Sequence, residues 1–104
     1  MTVENIFREK KQFNLEAAEP LKNYLNREFQ LESFEVFYSR KWKANFSVIE
    51  TQNGHLVQSW SKVIAQKLEL LKDYSPEEYK LLRLKAIEKK AESGYNYVDL
   101  ELIE

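Results

Sequence analysis

Between Phe34 and Trp60 the apolar positions recur every second residue. Phe34, Val36, Tyr38, Trp42, Ala44, Phe46 and Val48 share one parity, interrupted only by Arg40, while Glu35, Ser39, Lys41, Lys43, Asn45, Ser47 and Thr51 hold the other. Side chains on a strand alternate between faces, so this run predicts a sheet with one face turned to a core. The stretch to Thr51 reads either as one long bent strand or as two strands turned near Ser39 to Lys41. No Gly, Pro or Asn marks such a turn, which keeps the long strand, or a bulge at Arg40–Lys41, in competition. Asn53-Gly54 then predicts a hairpin, because both residues tolerate positive φ. A two-residue loop would set Val57 on the face of Val48 and Phe46. A three-residue loop would set Leu56 and Trp60 there, burying more apolar surface, and is favoured.

On either side of this stretch the period lengthens to that of a helix. Thr2 is positioned to cap a helix from Val3 to about Lys11, and a second is expected from Leu15 or Glu19 to Phe29, with Pro20 in its first turn. Ser59 or Ser61 caps a third, to about Asp73, whose stripe is Trp60, Val63, Ile64, Leu68, Leu71 and Tyr74. Ser75-Pro76-Glu77-Glu78 has the form of a capping box and opens a fourth helix, Pro76 to Glu92 or Ser93, with Gly94 as its left-handed C′ residue. The tail Tyr95 to Ile103 alternates again, with Val98, Leu100 and Leu102 on one side, and predicts a returning strand. The expected order is α-α-β-β-β-α-α-β. It describes one α+β domain over residues 1–104, an antiparallel sheet of three to four strands with helices packed on one face.

Composition narrows the chemistry more than it names a function. With 104 residues the chain is long enough for a core without staples, and it has no cysteine, which removes disulfides, thiolate metal sites and cysteine nucleophiles. No apolar run is long enough to span a membrane, and MTVENIFREKK has no signal-type apolar segment, so the expectation is a cytoplasmic protein without membrane contact. The single histidine, His55, follows the Asn53-Gly54 turn and reads as a turn residue rather than a catalytic base. Two glycines cannot build a phosphate loop. Asp99 and Glu101 stand two apart on the last strand, as metal-nuclease ligands do, but solvent-facing residues of an edge strand are the favoured reading. No enzyme, cofactor or metal is expected.

Two basic groups remain, in a chain whose sixteen basic and seventeen acidic residues leave a net charge of -1. Arg40, Lys41 and Lys43 surround Trp42. By parity Trp42 faces the core, which leaves Phe37 as the side chain able to stack a base. Lys80, Arg83, Lys85, Lys89 and Lys90 lie along the expected fourth helix, where a solvated face is the plain reading. That helix also carries apolar residues on a second side, at Leu81, Leu84 and Ile87. They predict either packing on the N-terminal helices or an interface with another chain, a homodimer through Pro76–Ser93 included. The leading expectation is a small non-enzymatic interaction protein, an inhibitor or regulator of a larger host protein or ribonucleoprotein, with a phage- or plasmid-like composition. The alternative is a nucleic-acid-binding accessory protein using the two basic groups.

Overall fold

A computed structural model describes residues 17–103. The expected helix from Val3 to Lys11 lies outside them, as does the start of the second. The chain is mixed α and β, with seven strands in two sheets and two helices among the described residues. In one sheet the order is β1 (Glu19–Pro20), β5 (Leu56–Ser59), β4 (Ala44–Thr51), β3 (Leu31–Ser39); in the other it is β2 (Glu28–Phe29), β6 (Arg83–Lys90), β7 (Asn96–Ile103). Helix α1 spans Lys62–Leu71 and α2 only Pro76–Tyr79.

The alternating stretch is two strands. Ser39 pairs with Ala44 across a turn of Arg40–Lys43, in which Lys43 takes φ 49° and the Ser39 hydroxyl accepts the Trp42 N–H at 3.3 Å. A lysine in the left-handed region costs roughly 1 kcal/mol, and no glycine advertised it in the sequence. The turn also breaks the parity. Phe34, Val36 and Tyr38 lie opposite Ile49, Ser47 and Asn45, while Phe37 lies opposite Phe46. One face therefore joins the even residues of β3 to the odd residues of β4. Ile49, not Phe46 or Val48, belongs to the core on the side of Phe34 and Val36. Trp42 belongs to neither face: it sits in the turn, 65% exposed.

At the next hairpin the longer loop holds. Thr51 N–H donates to His55 O at 2.8 Å around Gln52–Gly54, with Gly54 at φ 90°, and the Thr51 hydroxyl bonds to the Asn53 side chain. Leu56 pairs with Glu50 and Gln58 with Val48, so Leu56, Gln58 and Trp60 share the face of Phe46 and Val48.

Two expected helices are corrected. Within Glu19 to Phe29 there is only a single 3-10 turn, Leu21–Tyr24, between two-residue strands; Pro20 precedes it with φ -57° and ψ 135°, too extended to begin a helix. The larger correction concerns Pro76 to Ser93, where four residues are helical and Arg83–Lys90 form a strand. Lys, Arg, Leu, Ala and Glu all favour helix, yet Leu84 and Ala86 also alternate with Arg83, Lys85 and Ile87. Pairing over eight residues with β7, from Arg83–Ile103 to Lys90–Asn96, overrides the propensity. Gly94, at φ 95°, turns that hairpin rather than ending a helix. Ser75 accepts no backbone N–H; its hydroxyl instead donates to the Glu78 carboxylate at 3.3 Å.

The core lies between the sheets and α1. Leu31, Ile49 and Val57 from one sheet, Phe29, Leu84, Ala86 and Leu100 from the other, and Ile64 and Leu68 from α1 form one buried cluster with Leu21 and Tyr24. Ser61 caps α1, its oxygen accepting the Ile64 N–H at 3.4 Å. No helix among the described residues is long and apolar enough to cross a membrane.

Candidate functional site

The turn between β3 and β4 gathers one group of the expected binding residues. Arg40, Lys41 and Lys43 all lie in it and are exposed. Phe37 is placed differently: it is half-buried and stacked on Phe46 with ring centroids 5.1 Å apart, and Phe46 in turn meets Trp60 at 5.0 Å. The exposed aromatic rings at this end of the sheet are others. Tyr38 is 63% exposed and Trp60 50%, and Lys41 Nζ sits 5.2 Å from the ring centre of the turn's own Trp42. A cleft of about 230 Å³ is lined by Tyr38, Lys43, Ala44, Asn45, Trp60 and Lys62. No acidic residue occurs from Val36 to Ile49 or from Thr51 to Leu68.

The second basic group is dispersed. Lys80 pairs with Glu32 at 3.2 Å, and its carbonyl accepts the side-chain amides of Gln30 and Gln52. Arg83 borders a separate polar cleft with Glu28, Gln30 and Asn53. Lys85 lies between Glu28 on β2 and Glu101 on β7, where opposite charges across strands stabilise the sheet. Lys89 is bound to Asp99, and Lys90 falls on the opposite face of β6. A helix would have aligned these cations; the strand separates them.

Asp99 has a structural occupation. It is 3% exposed, with Lys67 Nζ 2.7 Å from one carboxylate oxygen and Lys89 Nζ 2.8 Å from the other, and it accepts the Leu100 N–H at 2.7 Å. Burial alone would push this carboxyl upward; hydrogen bonds from Lys67, Lys89 and the Leu100 amide outweigh it and hold the group below its ordinary value. The Asp99 hydrogen bond, reinforced by its charge, raises Lys89. Nearby, Ser61 Oγ donates to Val98 O at 2.6 Å and Lys67 Nζ to Leu100 O at 2.7 Å. Helix α1 thus covers the free edge of β7 with side-chain donors. Among the described residues no three His, Cys, Asp or Glu side chains converge as metal ligands do.

The expected apolar stripe of Leu81, Leu84 and Ile87 falls into three environments. Leu84 is in the core, Ile87 is half-buried on the other face of β6, and Leu81 stands in the turn after α2, 77% exposed. Other exposed apolar side chains lie earlier in the same stretch of chain. Leu70 is 67% exposed and Tyr74 56%, and Leu71, Tyr74, Glu78, Tyr79 and Leu82 line a cleft of about 340 Å³. Leu71 and Tyr74 belong to the apolar stripe read for α1 and Leu81 to the second apolar group, whereas Leu70 lies off both. No family model, no curated protein and no solved structure matches the chain.

Proposed function

We propose that the chain is a non-enzymatic protein-binding protein that docks through the apolar cleft between the end of α1 and the turn after α2. One observation carries this reading: exposed Tyr74 lines a cleft walled by Leu71, Tyr79 and Leu82, and the two most exposed leucines among the described residues, Leu70 and Leu81, are the chain neighbours of the cleft residues Leu71 and Leu82. Scattered exposed leucines need no explanation, but apolar side chains gathered at a concavity suit an anchor from a partner. Over residues 69–80 the acids Glu69, Asp73, Glu77 and Glu78 exceed Lys72 and Lys80. Lys72 is itself paired with Glu69 and Glu35. The complementary partner is a protein segment with a bulky apolar side chain flanked by Lys or Arg.

An inhibitor or regulator of a larger host assembly needs a rigid surface of this kind and no reaction chemistry, and we assign the chain to that class of function. Leu81→Lys and Tyr74→Ala test it. Both side chains are exposed, so melting should be unchanged, while a host protein retained by the wild-type chain should be lost by both variants. Retention of the same protein by both variants would place the contact elsewhere. A wild-type dimer dissolved by Leu81→Lys would make a second copy the occupant.

A further inference from the structure

We propose that the chain has a second binding site, at the end of the sheet formed by the β3–β4 turn and the start of α1, and that it takes a single-stranded polynucleotide. The ligand class follows from two kinds of side chain in one place. Tyr38, Trp42 and Trp60 expose aromatic surface, and every nucleobase has a face that stacks on such a ring. Arg40, Lys41, Lys43 and Lys62 supply the cations that follow a phosphate backbone.

Charge placement matters more here than net charge. The chain as a whole is slightly acidic, yet Glu50 is the only acid between Val36 and Leu68, and it lies at the far end of β4, with an oxygen accepting from Ser33 Oγ at 3.1 Å. The cations at the turn are thus not matched by carboxylates within their own stretch. The cleft offers room for a planar ring between Tyr38 and Trp60, with Lys43 and Lys62 on its wall and the Asn45 amide able to meet a base edge. An acidic protein would use the cations but has no need of three exposed rings. A duplex would hide the base faces those rings match. The single strand uses both.

The chain carries two tryptophans, and both are here, so its intrinsic fluorescence reports on this site directly. Unlabelled twelve-residue oligo(dT) and oligo(rU) are titrated into the full chain at low salt, with a duplex of equal length and heparin as controls. Saturable quenching by either single strand is expected, weakening as salt rises; the better of the two identifies the sugar preferred. Trp42→Ala should weaken binding roughly tenfold or more at unchanged melting temperature. Lys41→Glu with Lys43→Glu should flatten the slope of log affinity against log salt by about 1.4, at about 0.7 for each lost phosphate contact. Absence of quenching and of binding at low salt would overturn the proposal. So would duplex or heparin binding as tight as the single strand's, since the rings would then contribute nothing. Leu81→Lys, beside the cleft residue Leu82 in the chain, should leave the titration unchanged, so this site and the protein-docking reading fail separately.

Discussion

At the scale of single residues the Asp99 carboxylate ties three pieces together. It receives Lys67 from α1, Lys89 from β6 and the amide of its neighbour Leu100, all within 2.8 Å. A carboxyl depressed in the folded state contributes its full stabilisation above the unfolded value of about 3.9 and loses it as pH falls through the folded one. Asp99→Asn should therefore be less stable than wild type at pH 7, with the gap closing as acid denaturation is followed below about pH 4. A gap that stays constant to pH 2 would mean that the charge of Asp99 adds nothing. Removing the side chain leaves a buried amide unpartnered, so Asp99→Ala should cost about 1 to 3 kcal/mol in urea melts. Sequence alone could place Asp99 and Glu101 on one strand face, and they are two apart on β7. It could not show that lysines from two other elements converge on one of them. Trp42 is the converse case: its parity assigned it to the core, and a single lysine with φ 49° put it in solvent.

At the scale of elements, what was legible depended on whether the local signal and the pairing agreed. The Asn53-Gly54 hairpin and the alternating tail were readable, and the cap of α1 was narrowed to Ser59 or Ser61, of which Ser61 is the cap, because each signal is made by the residues that form the element. The stretch from Arg83 to Lys90 was not, since its residues favour helix and only β7 decides otherwise. The 3-10 turn at Leu21–Tyr24 was equally hidden, its apolar residues having helical spacing without enough turns to use it.

These assignments separate two pairs of variants. Ser61→Ala should cost about 1 kcal/mol or more, through the Ile64 N–H cap and the bond to Val98 O. Ser75→Ala should cost less than a few tenths, because Ser75 caps no backbone N–H. Equal losses in thermal melts would return a real capping box to α2. Similarly, Leu84→Glu places a charge in the core and should unfold the chain, whereas Leu81→Glu should leave circular dichroism and melting unchanged. A helix presenting both leucines to solvent would tolerate both substitutions alike.

For the whole molecule, the arrangement puts different chemistries on different parts of one small frame. The sheet end holds exposed aromatic rings and cations; the stretch from the end of α1 to the turn after α2 holds exposed Leu70, Tyr74 and Leu81 beside acids. The α+β class was legible from the succession of periods along the chain, but the division into two sheets was not. It depends on β6 leaving the helical layer to pair with β7, and on short β1 and β2 joining different sheets. The same substitution of strand for helix dispersed the expected row of cations and split the expected apolar group, burying Leu84, half-burying Ile87 and leaving Leu81 exposed. The docking reading is tested most directly by a photo-reactive phenylalanine placed in turn at Leu81, Leu70 and, as a control on the far β6–β7 hairpin, Tyr95, each exposed. One host protein should be cross-linked from positions 81 and 70 and not from 95. Cross-linking of that protein from 95 alone, or only of a second copy of this chain from 81 and 70, would contradict the docking reading.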